Sequence, residues 1–230
     1  MSETAFGPGS VWLRDEPERP RPVPLSRERI VAAAATLLDE HGADGLTMRR
    51  LAQQLDVTPT ALYWHVKTKD DVLDLALDHI FGDVPIPAVT ADWRDDARAL
   101  IRHWRTAMLR HPWAPALIGR PMLGPNVLAR TEFLQSALSR GGLADLELAV
   151  TTRLLANYVI GAALTEATWR GTADARAQGE ARRRVTADPA AYPTLNASGH
   201  LDADRWDDDI LFERGLDAIL TATHPFEPGS

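Results

Sequence analysis

The sequence predicts an all-α fold in two helical parts. Three observations carry the prediction. Apolar residues recur at three- and four-residue spacing through successive segments. Hydroxyl residues stand where helix N-caps belong, at Ser26, Thr47, Thr58 and Thr68. Runs of alternating or β-branched residues, the signature of strands, are nearly absent.

Composition sets the bounds. The chain has 230 residues, 45% of them hydrophobic, enough for a sizeable core. It contains no cysteine, which excludes disulfides, thiolate metal sites and cysteine nucleophiles. No apolar run reaches the ~20 residues that cross a bilayer, so no membrane partner is expected. The N-terminus lacks the basic-then-apolar order of a secretory signal, and a reducing cytoplasm is the expected location. A net charge of −7 argues against coating nucleic acid by bulk attraction.

Taken in order, residues 1–24 hold five prolines and little periodicity, and read as a flexible arm carrying one apolar cluster, Val11-Trp12-Leu13. Ser26 caps a first helix with Ile30, Ala33, Ala34, Leu37 and Leu38 inward, ended near Gly42. Thr47 caps a second, with Leu51, Ala52 and Leu55 inward, and Asp56-Val57 makes a turn. Thr58 caps a third with Pro59 at its first position, where a missing N–H costs nothing. Thr68 caps a fourth, with Asp70 and Asp71 favoured by the helix dipole. Gly82 to Thr90, with Pro85 and Pro87, marks a boundary, giving parts at 25–82 and 90–224.

Beyond it, helices are expected over Trp93–Arg110, Val127–Arg140, Leu143–Arg170 and Asp204–Thr223. The long one carries apolar groups on more than one face, as a helix does when buried in its own subunit and against a partner. Residues 171–200 are expected to hold a short helix and then a mobile loop, with Arg182-Arg183-Arg184 a solvated run.

The chemistry concentrates between Gly45 and Lys69. Residues 25–81 carry six basic against nine acidic groups, yet from Thr47 to Lys69 four basic residues face Asp56 alone. Lys67 and Lys69 are the only lysines in the chain. With Leu62 and Val66 inward, the 100° helical step turns Trp64 away from the core, beside Thr60 and Ala61, with Tyr63 at one edge. Such a helix can lie in a major groove, Trp64 packing on sugars and thymine methyls, Tyr63 and His65 donating to phosphates. Lys67 and Lys69 stand at a helix N-terminus where a phosphate is attracted, and Arg49 can reach a phosphate or a guanine edge.

GLTMRRLAQQL, the Thr58-to-Val66 helix and LYWHVK closely resemble the N-terminal domain of the TetR family of bacterial transcriptional regulators, over about residues 26–81. The second part is similar, more weakly, to the ligand-binding domain of the tetracycline-repressor branch, through Trp93, Arg120-Pro121, the Gly161-centred helix and FERGLDAIL. The resemblance implies a three-helix helix-turn-helix DNA-binding domain followed by a helical ligand-binding and dimerisation domain. It implies a homodimer on a palindromic double-stranded DNA operator, released by a small-molecule effector. By motif position Arg49, Thr58, Thr60, Ala61, Tyr63, Trp64, His65, Lys67 and Lys69 form the DNA-facing set. Pro59, Ala61 and Met48 replace residues of the branch, so the operator should differ.

The pocket departs further. The branch places a magnesium-binding histidine before the Arg-Pro pair; here Leu117-Ile118-Gly119 precede Arg120. Leu100 stands for an asparagine, Asn157 for a histidine, and Thr165 or Glu166 for a glutamate. No metal or other cofactor is expected. Leu100, Trp104, Leu134 and Tyr158 as walls, with Arg120, Asn157 and Thr165 as polar groups, suit a mostly apolar effector, with an anionic group favoured by Arg120.

An enzyme is not expected: H-E-x-x-H, G-x-S-x-G, P-loop and G-x-G-x-x-G patterns are all missing. The alternative is a small-molecule carrier or sensor with no DNA role. It leaves the local basic patch and the outward Trp64 unexplained.

Overall fold

A computed structural model describes residues 24–117, 120, 122–169, 172–202 and 205–223. The proline-rich arm with Val11-Trp12-Leu13, except for Pro24, lies outside them, as do Ile118, Gly119 and Pro121. All regular structure among the described residues is helical: α1 (Arg27–Gly45), α2 (Met48–Gln54), α3 (Pro59–Leu62), α4 (Lys69–Gly82), α5 (Trp93–Arg110), α6 (Ala114–Leu117), α7 (Pro125–Arg140), α8 (Asp145–Trp169), α9 (Thr172–Ala187), α10 (Pro193–Ser198) and α11 (Asp208–Ala222).

The first four helices start where their hydroxyls direct. Ser26, Thr47 and Thr58 each accept from a backbone N–H three residues on, and Thr68 with Asp71 closes a reciprocal capping box. Gly42, at φ 66°, breaks α1 before its last turn. Ile30, Leu38, Leu51, Leu62, Val66 and Val72 are buried together, and α4 packs along α1.

The two parts share one core. Phe81 at the end of α4 meets Trp104 of α5 edge-on, 5.1 Å between centroids. Three polar joints accompany this packing. Asp78 of α4 accepts from the Asn126 and Val127 amides at 3.0 Å, so α4 supplies the cap that Gly124 cannot give α7. Only glycine fits at 124: a Cβ there would lie 2.1 Å from the Asp78 carboxylate. Arg130 of α7, nearly buried, donates to the carbonyls of Gly82 and Val84 at 2.8 Å, where the C-terminal end of α4 favours a cation. Arg120 pairs with Asp74 and Asp70 on the outer side of α4.

Within the second part, arginines of α5 clamp α11. Arg98 meets Asp217 at 2.8 Å, Arg102 meets Glu213 at 2.6 Å, and Arg105 meets Asp209 at 2.6 Å while lying 4.6 Å over the Phe212 ring. Arg105 also meets the buried Glu166 of α8 at 2.7 Å.

Two expectations need correction. The loop foreseen before residue 200 contains α10, started by Pro193 and closed by left-handed Gly199; Asn196 ties it to α9 by donating to the Val185 carbonyl at 2.9 Å. The helix before it, α9, runs for 16 residues rather than a short stretch. And one stretch, Asp145–Thr168 of α8, is long and apolar enough to cross a membrane, with mean hydropathy 1.3. Its apolarity has a double source: Leu155, Val159 and Ala163 lie in the core, while Leu146, Val150, Leu154 and Leu164 face outward.

Candidate nucleic-acid interface

The recognition element is shorter as an α-helix than its sequence pattern suggests. Regular helix ends at Leu62 and continues as tight turns, in which Trp64 and His65 donate to the carbonyls three residues back. The facing is as the 100° step requires. Leu62 and Val66 are 0% and 2% exposed, whereas Trp64 is 81% exposed and Tyr63 44%. Thr58 and Thr60 are exposed, and Ala61 and His65 half-buried, on the same outer side. A tryptophan held out this far does no work in the core. It offers a large apolar plate with a donor N–H to whatever meets this surface.

Cations surround the plate. Arg49 is exposed on the first turn of α2. Lys67 folds back so that Nζ donates to the Tyr63 carbonyl at 3.2 Å, and Lys69 Nζ donates to the Ala43 carbonyl at 2.9 Å. The start of α4 is already occupied: the Asp71 carboxylate accepts from the Lys67 and Thr68 amides at 2.8 and 3.1 Å. The Lys67 amide and the Thr68 hydroxyl hold that carboxyl below the usual aspartate range. Attraction for a phosphate there therefore rests mainly on the two ammonium groups. Arg27, the first residue of α1, reaches the His65 carbonyl at 3.4 Å and adds a cation that sequence reasoning missed. The 38 residues between them hide the pairing.

The residues expected to line an effector pocket fall into three places. Leu100, Trp104 and Leu134 lie in the core at 0%, 5% and 1% exposure. The Trp104 indole N–H is buried without a hydrogen-bond acceptor among the described residues. Arg120 is turned to α4, away from Asn157. Asn157, Tyr158 and Thr165 do gather, with Gly161, Leu211 and Phe212, around an open cleft of about 380 Å³ between α8 and α11. Tyr158 stacks on Phe212 at 5.4 Å and donates to its carbonyl at 2.8 Å; burial pushes its phenol up from the usual range. Gly215 makes room for it, since a Cβ there would lie 2.1 Å from the Tyr158 oxygen. Among the described residues no three acidic or histidine side chains converge as a metal site.

Comparison with known proteins agrees with this architecture. Residues 30–76 match the family model for bacterial regulatory proteins of the tetR family, and residues 86–222 match the tetracyclin repressor-like C-terminal domain. An HTH-type transcriptional regulator of Saccharopolyspora erythraea is 43% identical over 222 residues, covering 95% of this chain and 93% of that protein. The crystal structure of ActR from Streptomyces coelicolor in complex with actinorhodin superposes with TM-score 0.75 at 31% identity, over 87% of this chain and 95% of that one. BioQ crystallised with its natural double-stranded DNA operator gives TM-score 0.57 at 33% identity, over 64% and 90%. Two family models covering most of the chain, and a near-full-length relative, make the outward helix-turn-helix the DNA reader of a non-enzymatic, ligand-responsive regulator: the chain belongs to the TetR family of transcriptional regulators.

Proposed function

We propose that the protein represses transcription as a cytoplasmic homodimer on a pseudo-palindromic operator and is released by an organic effector bound in its second domain. The observation that carries the reading is Trp64, 81% exposed on the outer face of a capped helix-turn-helix. Beside it, Arg49, Thr60, Tyr63 and the lysine ammoniums offer the base-edge and phosphate contacts that reading a major groove requires. The division of labour follows the boundary near Gly82–Thr90, with 25–82 reading DNA and 90–224 binding effector and partner.

Self-association is supported by an uncovered apolar stripe. Leu146, Val150 and Leu154, at successive four-residue steps on α8, are 47–69% exposed. They border, with Ala218 and Ala222 of α11, an open cleft of about 520 Å³. A second copy would cover both helices, and a two-fold axis there gives two readers for two half-sites one helical turn, about 34–36 Å, apart.

The effector belongs in the Asn157–Tyr158–Thr165 cleft or, apart from it, against the core indole of Trp104. A buried donor without an acceptor costs about 1–3 kcal/mol, so a ligand that is largely apolar and offers an acceptor to the indole recovers that energy. Arg120, engaged by α4, gives an anionic group less reason to be there than its sequence position suggests.

The test is binding to promoter fragments from beside its own gene, titrated by fluorescence anisotropy across salt concentrations. Sequence-selective binding that weakens steeply with salt is the expected result. No binding to any fragment at low salt would leave the carrier reading in possession of the second domain.

A further inference from the structure

Asp39 lies on α1, three residues before the break at Gly42, and lines neither the proposed DNA-facing surface nor the Asn157–Tyr158–Thr165 cleft between α8 and α11. Its carboxylate is taken by two donors from the other part of the molecule. Trp113 Nε1 donates to Oδ1 at 2.6 Å, and His111 Nδ1 lies 2.8 Å from the same oxygen. Both partners sit in the connection between α5 and α6 and are well sheltered, with Trp113 6% exposed and the His111 side chain 12%. Three residues on, α1 is kinked at Gly42, φ 66°, and the next carbonyl, that of Ala43, accepts from Lys69 Nζ. The path from the α5–α6 connection to the DNA-facing ammonium is therefore two hydrogen-bonded steps and four residues of backbone. It is separate from the joints on α4. An ammonium has three N–H donors; Ala43 takes one, leaving two for a phosphate.

We propose that Asp39 is a positioning residue for DNA binding: by fastening the end of α1 to His111 and Trp113, it sets where the Ala43 carbonyl, and hence the Lys69 ammonium, stands. The proposal rests on the reading of Lys69 as a phosphate contact. Without the carboxylate, the turn at Gly42 is no longer held from the α5–α6 side, and Lys69 meets the operator without a fixed origin.

The experiment measures operator affinity against salt for Asp39→Ala, Asp39→Asn, Lys69→Met and the Asp39→Ala/Lys69→Met double variant. The probe is a labelled duplex recovered from random sequence by the unaltered protein. Asp39→Ala is expected to weaken binding roughly three- to tenfold per half-site, the equivalent of one hydrogen bond, or about ten- to hundredfold for the dimer. The slope of log affinity against log salt should lose about 0.9 for each phosphate contact, or about 1.8 for a dimer that loses one contact from each subunit. Asp39→Asn, whose amide oxygen still accepts from Trp113, should recover most of both. On the Lys69→Met background, Asp39→Ala should add nothing. If Lys69→Met itself changes neither affinity nor slope, the phosphate reading falls and the proposal with it. If Lys69→Met weakens binding while Asp39→Ala is silent or simply additive, the proposal alone is overturned. Should Asp39→Ala fail to fold, Trp113→Phe removes one donor while keeping an aromatic ring, and the same non-additivity with Lys69→Met decides.

Discussion

Replacing Trp64 by alanine separates reading DNA from holding the fold more cleanly than any other single change. An aromatic side chain can bury about 150–250 Å². With 81% of Trp64 exposed, roughly 160 Å² remains to be covered by a partner. At about 25 cal/mol per Å², complete covering would contribute about 4 kcal/mol. A groove covers one side of a plate, so about 2 kcal/mol, some thirtyfold, is the expected loss per half-site, or roughly a thousandfold for a dimer that loses both. The folded protein loses almost nothing, because an exposed side chain contributes within about 0.5 kcal/mol. That corresponds to a melting-temperature change of roughly 2 °C or less in a chain this long. Anisotropy on the selected duplex and calorimetry on the free protein measure the two quantities. A melting temperature several degrees lower with operator affinity unchanged would refute the argument and make Trp64 a packing residue.

Other outcomes follow from the same geometry. Val150→Glu with Leu154→Glu places charges on the stripe proposed to meet a second copy; sedimentation should show a monomer that keeps its helical signal and loses most operator affinity. A variant that remains dimeric would move the interface elsewhere. Asp96 of α5 is fully buried, and burial raises its carboxyl, yet the Arg140 guanidinium and Thr90 together hold it below the usual aspartate range. The folded state thus binds this proton less readily than the unfolded chain. The stability it contributes is complete above the unfolded value near 3.9 and is lost as pH falls below it. Asp96→Asn should lower stability at pH 7 by roughly 2 kcal/mol, a discounted figure because Arg140 is partly exposed, and should flatten the melting-temperature profile below about pH 4. An unchanged acid limb would assign the acid sensitivity to other carboxylates.

The reader was legible because its chemistry is local. Ser26, Thr47, Thr58 and Thr68 cap helices through atoms three residues away, and the outward direction of Trp64 follows from Leu62 and Val66 on the same short segment. What escaped depends on partners far along the chain. Asp78 caps a helix 48 residues later, Arg98 and Arg102 find Asp217 and Glu213 more than a hundred residues on, and Arg120 turns to α4 rather than toward Asn157. Periodicity reports that a residue faces inward or outward, not which helix it meets. The expected pocket divided for this reason: Leu100 and Asn157 both stand where the related pockets have polar groups, yet one lies in the core and the other on the cleft beside α11. The double apolarity of α8 was visible as a pattern, but only the fold separates Leu155 inside from Leu154 outside.

The joints limit how an effector can act. The far end of α4 is gripped by Arg130 and its side by Asp78, both engaging α7, while its near end carries Lys69, the proposed phosphate contact. Fourteen residues at 1.5 Å per residue make a lever of about 21 Å. If α7 moves and the joints hold, a 5° tilt of that lever displaces its near end by about 2 Å, more than a hydrogen bond tolerates. A hundredfold fall in operator affinity requires about 2.7 kcal/mol of coupling, which must come from the effector's differential affinity for the two arrangements. The buried N–H of Trp104, in edge contact with Phe81 at the gripped end of α4, is placed where a ligand's acceptor could supply a sizeable share of that difference. A ligand that satisfied the indole by shifting the ring against Phe81 would act on the gripped end of the α4 lever.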